Sequence, residues 1–576
     1  MFDESPSFEK LFLPFTNKKA ILWIIIIGFI VYANAMFNPF IADDQSQIVE
    51  NPIIHSIINF PYFFTGGSFN AGGGAAGIYY KPLFSLMLSI IFTLFGPSPF
   101  FFHTAQLSLH IINAILVFFL CKKFLKRHFA FFLSLIFLIH PINSESVIYI
   151  SGMQEPLFFF FGIIGLFLLM RNRITILSFF FTSVCLFLSL LSKETGILFV
   201  LIAIVYALLF KRNLLKYCIV FFALTVGVYL FLRIVIGGIY FNREVLSPMM
   251  QASFFERIIS FPSFFFYYIK TFFFPYSALF SQQWVVKQIN FTSFIAPLLI
   301  DLFFLSVLFA IGAVLKKHSK KSIKIFLFFS LWFLFGIIFH SQLFPLDTTV
   351  SDRWFYFSII GLLGVLGVGY EYLIDAGPGI KKTIIAIIAI TIISLLSIRT
   401  TVRNTNWSSP IVLYSHDILL MPPNFSLENS LSYEYLKEMK LPQAFAHAKK
   451  SVGLFPTFLN LTNLGAVYTQ MGDINKGRTY FLKALQKGDF YLTYQNLAGI
   501  SAFYDQPGEA KKDILKYIKR FPGNSKLYIY LSVAFYRGGD SKNAKIYAQK
   551  ACQLSYDSEC LYLLNQIENR LPIEGK

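Results

Sequence analysis

Eleven long apolar runs constrain this chain more than any other feature: residues 20–37, 101–121, 129–140, 156–170, 174–191, 196–210, 214–237, 292–315, 322–342, 354–374 and 381–399. Most approach the roughly 20 residues that a helix needs to cross the hydrocarbon of a bilayer. A soluble chain of 576 residues could not hide so much apolar surface, and the composition agrees, with 56% hydrophobic residues, 72 Phe, 14% charged residues and a mean hydropathy of +0.62. The expected fold is all-α, beginning with a polytopic membrane helical bundle of about 11 transmembrane helices. Two more apolar stretches, Pro82 to Gly96 and Arg257 to Pro275, are short or interrupted and are ambiguous between spanning and lying in the interface.

The net charge of +19 would suggest nucleic acid in a soluble protein. Here the cations cluster between apolar runs, at 122–128, 171–173, 211–213, 316–321 and 381–382. With the N-terminus inside and both ambiguous stretches interfacial, every cluster falls on the cytoplasmic side, as the positive-inside rule requires. Nucleic-acid binding is therefore not expected. The external segments become 38–100, 141–155, 192–195, 238–291, 343–353 and everything after Arg399. The polar start, Met1 to Lys19, and the lack of a small-residue cleavage site before Asp43 make the first run a retained helix rather than a signal peptide. Five cysteines show no metal-ligand or redox spacing, and only Cys552 and Cys560 are placed to pair.

From about Asn404 the composition turns polar, and small and aromatic residues recur at a fixed interval. Leu464, Gly465, Tyr468, Gly472, Phe481 and Ala484 reproduce the spacing of a tetratricopeptide repeat, whose small residues let two antiparallel helices approach and whose aromatics fill the gap. The frame recurs in Leu431, Tyr435, Ala444, Ala448 and Pro456, in Leu497, Ala498, Ala510 and Pro522, and in Leu531, Phe535, Gly539, Ala544, Ala548 and Ala551. The expected domains are a membrane domain over 1–403 and a tetratricopeptide-repeat α-solenoid of about four repeats over 404–576, with a concave surface for a peptide or protein.

The first external loop opens with NPFIADDQSQIVENP (38–52) and continues through GGSFNAGGGAAG (66–77) to YYKPL (79–83). Asp43 and Asp44 sit where a substrate arriving through lipid would present a polar head group. The bland alternative is that either acid caps a short helix starting near Gln45. The glycines lack the Lys-Ser/Thr of a phosphate-binding loop and read as a linker.

FNPFIADDQSQIVENP, YYKPL, FFHTAQLSLHIINAIL, LIHPINSESVIYISGMQEPL, LSKETGIL and SDRWFYFSIIG, in that order and followed by the repeats, resemble successive motifs of the transmembrane and tetratricopeptide-repeat-containing O-mannosyltransferases, within the protein O-mannosyltransferase superfamily. The resemblance covers about the whole chain. It implies a GT-C type bundle and transfer of one sugar from a polyprenyl-phosphate carrier to an acceptor on the far side of the membrane, by an acid in the first external loop. Asp43 matches the catalytic acid of that family, and Asp44 orients the acceptor or shares the role. Lys81 and Arg353 match its phosphate-binding cations, against the bland readings of snorkelling for Lys81 and a structural ion pair with Asp352 for Arg353.

His140, Glu145 and Glu155 bound the second external loop and could line the same substrate cavity. Glu155 departs from the family, which usually shows Arg-Ala-Asp where this chain has Met153-Gln154-Glu155. A lone His at a helix end is more often structural than a base. Lys193 and Glu194 are expected to pair with each other or with a neighbouring loop. Asp43, Asp44, Glu145 and Glu155 carry the hard oxygens that Mg²⁺ or Mn²⁺ prefers. The resemblance nonetheless implies no cofactor and no metal, only a lipid-linked sugar as co-substrate, with a divalent cation left open.

The leading function is an inverting membrane glycosyltransferase acting on a hydroxyl, with Ser or Thr of a protein as acceptor. A non-enzymatic, membrane-anchored repeat scaffold for envelope assembly is the alternative. A flippase ranks last, since few polar residues line the spans. Lys and Ile usage suggests a bacterial inner membrane with periplasmic repeats; an endoplasmic reticulum membrane with lumenal repeats is the other location.

Overall fold

The computed structural model describes residues 15–67, 79–240, 247–376, 382–555 and 558–573. The glycine-rich stretch singled out in the first loop lies almost wholly outside them. The longer helices of the membrane part are α1 (Asn17–Tyr32), α2 (Pro82–Phe95), α3 (Pro99–Phe124), α4 (Arg127–Ile139), α5 (Gln154–Leu169), α6 (Ile176–Ser192), α7 (Ile197–Phe210), α8 (Leu215–Phe231), α9 (Phe254–Phe273), α10 (Ala296–His318), α11 (Lys320–Phe339), α12 (Phe355–Ala376) and α13 (Lys382–Asn406).

Each of the eleven apolar runs forms a helix. Eight, with their flanking turns, are long and apolar enough to cross a membrane, and the other three, α4, α6 and α7, are shorter. α4 bends by 48° into the next helical segment, because Pro141 has no N–H to continue the ladder. At 14 residues α2 is about 21 Å long, well short of the ~30 Å hydrocarbon core. α9 has the length to span, but Ser253 and Glu256 cap its start reciprocally and Ile259, Phe264, Phe265, Ile269 and Phe272 are buried along its length. With Glu256, Arg257 and Lys270 among its 20 residues, it does not meet the composition of a membrane span.

Small residues set the closest approaches inside the bundle. A Cβ on Gly361 of α12 would lie 2.2 Å from the Phe333 nitrogen of α11, so only glycine permits that crossing. The outward faces stay apolar: Phe303 and Phe309 of α10 and Ile390, Leu395 and Ile398 of α13 are exposed, as lipid-facing residues must be.

The two ends of the bundle differ in chemistry. At one, Lys122 donates to Asn17 Oδ1 at 3.0 Å, Lys123 to the Met170 carbonyl at 2.8 Å and Lys211 to the Leu169 carbonyl at 3.3 Å, gathering the basic clusters at 122–128, 171–173 and 211–213. The other end holds the first loop, the 141–155 connection, and the segment 342–354. Here Gln282 pairs with Val350 in a short antiparallel bridge.

The chain leaves α13 through α14 (Pro410–Leu420), where Arg403 grips Asp417 by two parallel bonds of 2.7 and 2.8 Å in a fully buried site. Asp417 Oδ2 also accepts from the Phe280 N–H at 2.7 Å. Four helical hairpins follow: α15 (Phe425–Lys437) with α16 (Leu441–Leu454), α17 (Phe458–Gln470) with α18 (Ile474–Leu485), α19 (Tyr491–Tyr504) with α20 (Pro507–Arg520), and α21 (Ser525–Arg537) with α22 (Ser541–Leu554), before a last helix α23 (Ser558–Glu568). Gly465 lets the Phe481 ring in; a Cβ there would meet it at 2.7 Å. The first and fourth hairpins repeat one bond, Ser432 Oγ to the Ala444 carbonyl at 2.9 Å and Ser532 Oγ to the Ala544 carbonyl at 2.7 Å. Cys552 and Cys560 form a disulfide. The all-α class and the sequence of membrane bundle then helical repeats are therefore as read from the sequence. The apolar core of the bundle continues without a break into Leu427 and Leu431 of the first repeat.

Candidate functional site

A tight turn sets the two acids in different environments. Ala42 adopts φ +54, a left-handed conformation costly for a residue with a Cβ, and it turns the chain between Ile41 and Asp43. Asp44 points inward. Its Oδ1 accepts from the Ser151 N–H at 2.7 Å and the Ser151 hydroxyl at 2.6 Å, and its Oδ2 accepts from the Ile41 N–H at 3.1 Å. Burial pushes its pKa up to about 7 against those three donors. Asp44 thus pins the first loop to the 150–152 turn, and it makes no capping bond to the helical turn that follows at Gln45–Val49. A carboxylate so engaged is a positioning group.

Asp43 points the other way and remains reachable by solvent. Tyr149 flanks it: the Asp43 N–H donates to the Tyr149 hydroxyl oxygen at 3.3 Å, and the hydroxyl bonds the carboxylate. The surrounding protein raises the Asp43 pKa by desolvation. Tyr149 and the charges of Arg353 and Lys81 oppose that rise, and the charge of Asp347 adds to it. A carboxylate raised in this way is a better proton acceptor than a free one.

The two cations facing it are held differently. Arg353 donates from Nη1 to Glu145 Oε1 at 2.9 Å and from its backbone N–H to Glu145 Oε2 at 3.0 Å, and its guanidinium lies 5.6 Å from the Tyr149 ring centre. Ser351 Oγ lies 2.9 Å from both Glu145 oxygens. Glu145 therefore orients Arg353, and Asp352, the partner in the bland reading of Arg353, instead accepts from Tyr267 at 2.6 Å. Lys81 caps the start of α2, 8% exposed, with its ammonium 4.1 Å from the Tyr79 ring centre. Among the described residues it has no ion-pair partner. Burial, the chief influence, lowers its pKa to about 8, while Glu194 opposes the fall. Such a buried cation favours an incoming anion.

The remaining expected residues divide. Glu155 pairs with Lys193, and Glu194 with Arg233 at 2.8 Å, so Lys193 and Glu194 do not pair with each other. Glu155 acts electrostatically on both Lys81 and Arg353, which puts the Lys193–Glu155 pair beside the site. His140 is elsewhere in role: its Nδ1 accepts from the Ile142 N–H at 3.2 Å and its Nε2 lies 2.9 Å from the Phe272 carbonyl. Both ring nitrogens are spent on backbone, and it offers nothing to a substrate. Among the described residues no three His, Cys, Asp or Glu side chains group so as to hold a metal ion.

Sequence reasoning missed Tyr149, Ser151, Tyr79 and Asp347. Tyr79 donates to Asp347 Oδ2 at 2.8 Å across 268 residues, a pairing with no local signal. Tyr149 and Ser151 do stand in the second external loop, within a motif quoted for other residues.

Fold and site together define a polytopic helical membrane protein whose repeat array meets an acid and two cations, one buried and one half-buried, at one end of the bundle. The chain is similar to protein O-mannosyl-transferases: F38B6.6 of Caenorhabditis elegans at 24% identity over 428 residues, 71% of this chain and 59% of that protein; TMTC1 of Homo sapiens at 29% over 201 residues, 32% and 23%; and TMTC3 of Homo sapiens at 27% over 197 residues, 33% and 22%. The chain thus covers less than two thirds of the length of these relatives. Among solved structures it is similar to ArnT from Cupriavidus metallidurans bound to undecaprenyl phosphate, at 14% identity and TM-score 0.37, covering 81% of each chain. It is also similar to the Cut9–Hcn1 hetero-tetramer of the APC/C at TM-score 0.27, 12% identity, 84% of this chain and 89% of that one. No family model matches the chain.

Proposed function

We propose that this protein is an inverting GT-C glycosyltransferase that moves a sugar, mannose by analogy with its relatives, from a polyprenyl-phosphate donor to a Ser or Thr hydroxyl of a polypeptide. The observation that carries the reading is a solvent-reachable carboxylate of raised pKa, Asp43, facing two cations, the half-buried Arg353 and the buried Lys81, the latter without a counter-ion among the described residues. Asp43 takes the proton of the acceptor hydroxyl as its oxygen attacks the anomeric carbon from the face opposite the phosphate. The bond to phosphate breaks, its electron pair stays on the lipid phosphate, and Lys81 and Arg353 neutralise the charge that develops. Single displacement inverts the anomeric centre. Glu145 and Asp44 hold the geometry without touching the reacting atoms.

The basic clusters gathered at the opposite end support placing the site outside the cytoplasm, and the Cys552–Cys560 disulfide supports an oxidising compartment for the repeats, periplasm or endoplasmic reticulum lumen. The first test is mass spectrometry of lipids that co-purify with the full chain in mild detergent. A polyprenyl phosphate or its glycosylated form is expected with the unsubstituted chain and should be lost from the Lys81→Ala, Arg353→Ala double variant. Equal lipid in both, or none in either, contradicts the reading.

A further inference from the structure

At the end of the bundle that holds Asp43, most of the described cations are already engaged. Arg353 pairs with Glu145, Lys193 with Glu155 and Arg233 with Glu194, while Arg257 donates to the Ala252 carbonyl at 3.0 Å. Lys81 belongs to the candidate site. Lys270, near the end of α9, and Lys287, just ahead of the span that begins at Phe291, remain. Neither enters an ion pair among the described residues. The Lys270 ammonium lies 5.5 Å from the Tyr276 ring centre. Lys287 acts electrostatically on Glu256, whose carboxylate is held by the Ser253 N–H at 2.7 Å.

Both lysines line one cavity of about 700 Å³, walled by α9, the segment 282–293, the first turn of α10 at Pro297, and Pro422 ahead of the repeats. Among the described residues no acid lines it. Gln282, in its wall, is 5% exposed; its Oε1 accepts from Trp284 Nε1 at 3.2 Å, and its Nε2 has no partner among the described residues. Because an indole N–H can only donate, that bond fixes the orientation of the amide, and the unspent end is the donor. A buried donor left unpaired costs free energy that an acceptor entering the cavity recovers.

Two ammonium groups outside any ion pair and an unspent amide donor, with no acid among them, select an anion rich in acceptor oxygens. Phosphate meets that description. The position selects a lipid that carries it. The cavity sits at one end of the Phe291–Lys317 span, and beyond Pro297 the α10 residues Leu299, Ile300 and Phe303 are exposed and apolar. Acyl chains laid along these residues put the head group level with the lysines, and Trp284 stands at the depth where membrane proteins concentrate tryptophan. A free phosphate ion would leave most of the cavity unfilled. Neither Lys81 nor Arg353 lines it, yet it adjoins their site: Tyr267, in its wall, donates to Asp352 Oδ1 at 2.6 Å, beside Arg353.

We propose that this cavity binds the phosphodiester head group of an anionic membrane phospholipid, through Lys270, Lys287 and Gln282, at a site separate from the one that takes the donor phosphate. Binding here does not depend on sugar transfer. The test is native mass spectrometry of the full chain in mild detergent, titrated with dioleoylphosphatidylglycerol, dioleoylphosphatidylcholine or inorganic phosphate. Phosphatidylglycerol should bind severalfold more tightly than phosphatidylcholine, which carries the same phosphodiester with its charge neutralised, and an equal concentration of inorganic phosphate should not displace it. The Lys270→Gln, Lys287→Gln double variant should lose about tenfold or more in affinity for phosphatidylglycerol, and Gln282→Leu severalfold. Lys287 is exposed, so Lys287→Gln alone keeps the fold should the other variants lose it, and should still weaken binding severalfold. The Lys81→Ala, Arg353→Ala double variant should hold phosphatidylglycerol as tightly as the unsubstituted chain. Equal affinity for the two phospholipids, unchanged affinity in the lysine or glutamine variants, or displacement by inorganic phosphate overturns the lipid site. Loss of phosphatidylglycerol from the Lys81→Ala, Arg353→Ala variant overturns its separateness from the donor site.

Discussion

Two adjacent aspartates of identical chemistry are given different work by their neighbours. Three donors hold Asp44, whereas Asp43 keeps a solvent-exposed face. The resemblance singles out Asp43, but the physical reason the two acids differ was not legible in the sequence, because the donors that hold Asp44, from Ser151, lie 107 residues away. The pair could be singled out as a candidate from the sequence, since carboxylates at the lipid–water boundary are uncommon. Lys81 gives the sharpest prediction at this scale. Its pKa is lowered to about 8, so the cationic form is complete below that value and is lost as pH rises through it. In the Asp43-intact enzyme, kcat/KM should climb as Asp43 ionises and fall again near pH 8. In Lys81→Arg the guanidinium stays charged, and the falling limb should move up by a unit or more while the rising limb stays. A falling limb unmoved by that substitution removes Lys81 from phosphate binding.

Hydropathy located the helices, because the length of an apolar run is a property of the local chain. Their bends and pairings were less accessible. The break after α4 could be read from Pro141, but the neighbour offered by the sequence as an alternative partner for Arg353, Asp352, is not the one it pairs with; Glu145 lies 208 residues away. His140 could be read as structural from its place at a helix end, but not which groups hold it: backbone groups from two elements claim both nitrogens. The joint between α13 and α14 carries the prediction for elements. Asp417→Ala leaves Arg403 buried and unpaired, which should cost about 3–5 kcal/mol. Thermal unfolding of the purified chain should report that loss, and the Arg403→Met, Asp417→Leu double variant should regain most of it. A single variant as stable as the unsubstituted chain would mean that this pair does not fasten the repeats to the bundle.

Across the whole molecule, the charge pattern and the architecture agree. Cations collect at one end of the bundle, and the acid, its facing cations and the repeats at the other. The repeat array was legible because its period of about 34 residues is written in small and aromatic side chains. Its placement against the first loop was not, because contacts such as Glu50 with Tyr491 join segments that share no sequence signal. The account holds that one carboxylate at this junction activates a hydroxyl against a lipid-linked sugar. The most direct measurement is transfer in reconstituted vesicles: full chain, a polyprenyl-phosphate mannose donor and a Ser- and Thr-rich peptide, with the product read by mass spectrometry. The account predicts one hexose on a hydroxyl with the unsubstituted chain, and a rate at least ~100-fold lower with Asp43→Asn, which should unfold at the same temperature. Transfer at an equal rate by Asp43→Asn would contradict it.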